Sequence, residues 1–138
     1  MTKRIFGLLG LSFLALCMSA CSQDKKVVAE GAASNWLKLV DAGNYAQSWD
    51  DTGAVLKANI AREQWQELLT RNRAPLGTLI SRQLTSAEYT TQLTGAPDGQ
   101  YVVLQYASNF EHKNSAIETV TPVLDKDGQW RVCLYVVR

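Results

Sequence analysis

Apolar and polar positions change period partway along this chain, from steps of three and four before Pro75 to steps of two after it. Val28, Ala29, Ala32, Ala33, Trp36, Leu37 and Val40 recur at helical spacing, which predicts a helix with one buried stripe. Gly43 offers a stop, and Asn44 an N-cap for a short second helix over 45–51 with Tyr45, Ala46 and Trp49 on one side. Thr52-Gly53 interrupts that segment, and Ala54 to Ala58 resumes it irregularly. Asn59 is placed to cap a third helix whose stripe is Ile60 or Ala61, then Trp65, Leu68 and Leu69. Glu63 in its first turn and Arg71 and Arg73 near its end suit the helix dipole. Pro75 and Gly77 end it.

From Thr78 the chain reads as strands. The Thr-rich segments 78–84 and 89–93 are two strands or one long bent one. Ala96-Pro97-Asp98-Gly99 is a turn, with Pro where φ must be near −65° and Gly where a positive φ is cheap. Tyr101 to Phe110 follows, with Val102, Leu104, Tyr106 and Phe110 on one face and Ser108 sharing their parity. His112-Lys113-Asn114 reads as a polar loop. Ile117 to Leu124 is the next strand, in which Pro122 requires an edge position or a bulge. Asp125-Lys126-Asp127-Gly128 is a tight hairpin signal. Trp130, Val132, Leu134 and Val136 then alternate along the last strand, and Cys133 faces away from that row as a packing residue. The fold class is therefore α+β: three N-terminal helices on a curved antiparallel sheet of four to five strands. The inward rows are bulky, so the interior is expected to be mostly filled, with at most a shallow pocket rimmed by Tyr45, Arg82 and Tyr106.

Ahead of Val28 the pattern is different. Lys3 and Arg4 precede an apolar run from Ile5 to Leu16, and the small pair Ser19-Ala20 stands immediately before Cys21. A basic start, a short apolar stretch and small residues at a cut site make a secretory signal, and the run is too short to span a bilayer. The segment resembles a bacterial lipobox, with Met18 where Leu is more usual. That resemblance implies a signal peptide over 1–20, a lipid-modified Cys21 at the head of a polar tether over 21–27, and a single domain over 28–138. Ser22 in the following position implies an outer-membrane address on the periplasmic face. The membrane partner is then the lipid anchor alone.

Charge and cysteine count narrow the picture further. The signal carries two of the 14 basic residues and none of the 13 acidic ones, so 12 remain against 13. No basic face for nucleic acid follows from that balance. With Cys17 removed and Cys21 acylated, Cys133 has no intramolecular disulfide partner. The single histidine, His112, falls in a polar loop, and no second His or usable Cys exists for a zinc site. Asp50 and Asp51 are adjacent on a helix and point apart, which suits a solvated end better than paired acid–base work. No Ser or Thr has a nucleophile-elbow turn. Trp36, Trp49, Trp65 and Trp130 are expected to fill the core, and Arg71, Arg82 and Arg131 to line the mouth of a cone or form surface pairs. No catalytic residue, metal ligand or cofactor is assigned.

The run from Leu93 to Val103, then Phe110, Glu118-Thr119-Val120-Thr121 and Asp127-Gly128-Gln129-Trp130-Arg131-Val132, with Trp36, Tyr45-Ala46, Trp49, Trp65 and Arg82, is similar to a family of bacterial envelope proteins of unknown function. It is number four-zero-one-nine in the domain-of-unknown-function series. The resemblance covers about residues 28–138 and implies a cystatin-like or nuclear-transport-factor-2-like roll with no assigned activity. A Gly expected near Leu134 is missing here, which bears on a bulge in the last strand. Two function classes follow. One is a lipid-tethered, non-catalytic module that binds an envelope protein or component. The other is a small-molecule binder or weak isomerase- or cyclase-like enzyme using a cone-shaped cavity.

Overall fold

A computed structural model of the protein describes residues 14–138, with side chains from Ala20 onward. Most of the expected signal peptide, residues 1–20, therefore lies outside the described residues. The described chain is α+β: four helices precede a four-stranded antiparallel sheet. The helices are α1 (Leu14–Asp41), α2 (Tyr45–Asp50), α3 (Ala54–Asn59) and α4 (Arg62–Asn72). After a single 3-10 turn (Ala74–Leu76) come β1 (Leu79–Thr90), β2 (Tyr101–Phe110), β3 (Lys113–Leu124) and β4 (Trp130–Val137). The strands neighbour one another in chain order, a simple meander. Among the described residues no helix is long and apolar enough to cross a membrane.

α1 begins earlier than Val28 and runs straight through 21–27, the segment expected to be a tether. Lys25 explains why that stretch stays against the body. Its ammonium lies 4.8 Å from the centre of the Tyr89 ring at the far end of β1. Further along α1, Ala29, Ala33, Trp36, Leu37 and Val40 are buried as the spacing predicts, whereas Val28 is exposed. The segment after Thr52-Gly53 is a helix of its own, α3, which raises the helix count from three to four. Asn59 ends α3 instead of capping α4, its amide donating back to Val55 O. Ile60 is extended, and Ala61 takes the N-cap position of α4, where Gln64 Oε1 accepts from the Ala61 N–H at 3.2 Å. Asn44 likewise makes no side-chain cap.

The core lies between the helix layer and the inner sheet face. Trp36 is pinned by donating to Ser48 O at 2.7 Å, and Trp65 by donating to Ser48 Oγ at 3.0 Å, so one buried serine in α2 positions two indoles. Trp36 also meets the Tyr135 ring edge-on at 5.4 Å, the favoured aromatic geometry. Trp49 and Trp130 are only half-buried at the margin of this core.

β1 is one long strand, bent by register shifts at 79/81 and 84/86. β3 is an interior strand, so Pro122 is accommodated by a bulge: Thr121 pairs with Leu134 but Pro122 pairs with Val132. The extra residue reverses the parity of β4 after Val132. The inward row is therefore Trp130, Val132, Tyr135 and Val137, and the expected Leu134 and Val136 are not in it. Leu134 is exposed, while Cys133 packs with Tyr101 and Val123 in a small second cluster under Val55, Leu93 and Ala96. The polar loop expected at 112–114 shrinks to a two-residue turn, Glu111-His112, and β3 starts at Lys113.

Candidate functional site

Six elements converge on one buried ionic cluster. The last residue of α1 brings Asp41, the end of α4 brings Arg73, and the four strands bring Arg82, Ser108, Glu118 and Tyr135 in turn. Glu118 is fully buried because β3 turns Ala116, Glu118 and Val120 to the same inner face. Its Oε1 accepts from Arg82 Nε at 2.7 Å and Ser108 Oγ at 2.5 Å. Its Oε2 accepts from Arg82 Nη2 at 3.0 Å and Tyr135 OH at 2.7 Å. Arg82 also forks onto Asp41, through Nη1 at 2.7 Å and Nη2 at 3.0 Å. Arg73 completes the set: it donates to Asp41 Oδ1 at 3.1 Å and to Gly77 O at 2.8 Å, with its guanidinium 4.4 Å above the Phe110 ring.

Two guanidinium groups and two carboxylates sum to zero charge, which is the condition under which buried ions are tolerated. Burial works against the Arg82 charge, but hydrogen bonds from Asp41 and Glu118 outweigh it and raise its pKa. The Tyr135 phenol is raised by burial first and by the Glu118 carboxylate second, so it serves as a hydrogen-bond donor to that carboxylate. Tyr106 is pushed up to about 12 by burial, with Glu30 and Glu118 adding to the rise and Arg82 opposing it. Its hydroxyl is buried without a protein partner among the described residues, as are Arg73 Nε and Thr121 Oγ1.

The expected pocket rim of Tyr45, Arg82 and Tyr106 is not a rim. Arg82 and Tyr106 are interior, and only Tyr45 borders an open cleft, the groove of about 750 Å³ between α2 and α4. All three nonetheless surround the same cluster: the Tyr45 pKa is raised by burial, with Arg73 opposing and Asp41 adding. A second cleft of about 280 Å³ lies between α1 and β4. None of Asp41, Arg73, Arg82 or Glu118 lines either cleft.

The other residues weighed from sequence are scattered. Asp50 pairs with Arg62 at 2.8 Å and is separated in role from Asp51, whose carboxylate accepts from Gln47. Arg131 forms surface pairs with Asp125 and Asp127, and His112 is exposed beside Glu111. Cys21 is exposed on α1. No group of three or more His, Cys, Asp or Glu residues arranged to hold a metal ion occurs among the described residues. Asp41, Arg73, Glu118 and Tyr135 were not singled out from sequence. The available signal was parity: Glu118 shares its face with Ala116 and Val120, and Arg82 with Leu84.

A family described as protein of unknown function (DUF4019) matches residues 32–135, and the chain belongs to it. No curated protein and no solved structure matches the chain.

Proposed function

We propose that this member of the family is a lipid-anchored, periplasm-facing protein of the bacterial cell envelope that binds another envelope component and performs no chemistry. The observation that carries this reading is the closure of the ionic cluster. Its four charges are engaged with one another, and both oxygens of Glu118 carry two hydrogen bonds each. An isomerase- or cyclase-like reading asks for a deep cavity with converging titratable groups. Here those groups fill the space where such a cavity would open. The helix layer over a bent meander supports a cystatin-like or nuclear-transport-factor-2-like roll, in which the surface does the binding.

The anchor part of the proposal rests on Cys21. It is exposed one helical turn before Lys25 touches Tyr89, a rise of about 6 Å. A lipid there holds the domain close to the outer membrane on a helix rather than on a loose linker. Globomycin blocks the signal peptidase that cleaves only acylated precursors, so unprocessed precursor should accumulate under the drug. Normal processing would remove the anchor. Pull-down of the lipidated protein from envelope extracts tests the binding part, and reproducible protein partners are the expected result.

A further inference from the structure

We infer that the cleft between α1 and β4 binds a neutral saccharide ring, a pyranose with one apolar face and a rim of hydroxyl or acetamido groups. This deepens the binding-module reading and is independent of the lipid anchor. The cleft holds about 280 Å³. Ala32, Asn35 and Leu39 form one wall, lying on a single stripe of α1, and Trp130 with Arg131 forms the other at the start of β4. Asp51, just past α2, closes one end. The methyl group of Ala32 leaves room that a larger side chain would fill.

Unused hydrogen-bonding groups in this cleft identify the ligand chemistry. The indole N–H groups of Trp36, Trp49 and Trp65 donate to Ser48 O, Ile60 O and Ser48 Oγ respectively. That of Trp130 meets no acceptor among the described residues, although a half-buried indole ordinarily finds one. The Asn35 amide oxygen accepts from Lys38, which leaves its NH₂ free to donate. Asp51 Oδ1 accepts from Gln47, which leaves Oδ2 free to accept. Two free donors and a free acceptor thus stand around an aromatic wall. Ring hydroxyls can satisfy both kinds, and the C–H face of a pyranose packs on the indole. An ammonium ligand has donors only and would leave the Trp130 and Asn35 N–H groups unmet. An anion is repelled, because Arg131 is already neutralised by Asp125 and Asp127 and Asp51 adds negative charge.

The test uses the full chain in detergent micelles and the four indole N–H resonances, with Trp130→Phe fixing the assignment. N-acetylglucosamine added at millimolar concentration should move the Trp130 resonance saturably and leave the other three in place. Asn35→Ala and Asp51→Asn remove exposed side chains, so the fold survives, and each should weaken binding about fivefold or more. Three outcomes overturn the inference: no indole resonance moves, all four move together, or n-butylamine or phosphate moves Trp130 where the sugar does not. Each of these leaves globomycin sensitivity and partner capture as separate measurements, and loss of the anchor in turn leaves the titration unaffected.

Discussion

Glu118→Gln is the most informative single change in this protein, because it removes a charge while keeping shape. Glu118 is fully buried and accepts four hydrogen bonds, two of them from Arg82. In the variant the amide oxygen can still serve Ser108 and Arg82 Nε. The amide NH₂ then points at Arg82 Nη2, donor against donor, and only the Tyr135 hydroxyl can rotate to accept. The cluster also passes from zero net charge to +1 with Arg73 almost wholly inaccessible to water. Breaking a buried pair by removing one partner costs roughly 3–5 kcal/mol, a large share of the 5–15 kcal/mol that holds such a domain together. Urea unfolding followed by tryptophan fluorescence should show a lower midpoint at unchanged slope. The double variant Arg82→Met with Glu118→Leu strands no charge, since Asp41 keeps Arg73, and should be less destabilised than either single charge removal. A Glu118→Gln loss below about 1 kcal/mol would refute the assignment of Glu118 as the charged centre of the cluster.

The two classes of tryptophan should separate in the same assay. Trp65→Ala should cost about 3–5 kcal/mol, whereas half-buried Trp130→Ala should cost about half of that; equal losses would put both rings in the core. Cys133 predicts alkaline behaviour. Burial first, and then Asp125, push its thiol up to about 12. The folded protein keeps a proton that the unfolded chain releases near pH 9. Its contribution is therefore complete below that pH and is lost as pH rises toward 12, about 4 kcal/mol across the interval. Cys133→Ala should flatten the fall of the urea midpoint between pH 9 and 11, and an unchanged fall would mean that the thiol is accessible.

Much of the architecture was legible in the sequence because it rests on local signals. The stripe at Ala29, Ala33, Trp36, Leu37 and Val40 and the turn chemistry of Asp125 to Gly128 need only neighbouring residues to be read. Gly128 takes φ 82° as that turn requires. Two kinds of error arose where a distant partner decides. The alternation of β4 reads as one row, but Pro122 on β3 forces the extra residue that turns Tyr135 inward and Leu134 outward. Thr52-Gly53 reads as an interruption, yet Gly53 N–H bonds Val132 O at 2.8 Å and so docks the start of α3 on β4. The cluster was the least legible part. Arg82 could be named as a candidate, but its partners lie 41 and 36 residues away, and no spacing rule links them.

That separation gives the cluster a role in specifying the sheet. Slipping β3 by one residue would turn Glu118 to the outer face and bring Ile117 or Thr119 to the core side, since side chains alternate along a strand. Arg82 would then face an apolar or hydroxyl group, and Asp41 alone would balance two guanidinium groups. A purely apolar inner face would tolerate such a slip more readily, because Ile117 could fill the place of its neighbours. The bulges at 84/86 and 121/122 make alternative registers easy to imagine in β1, β3 and β4. An ion cluster that draws one residue from each of six elements is satisfied in one register only. The wide end of the sheet is thus closed by charges that fix the fold, and binding is left to the clefts outside it.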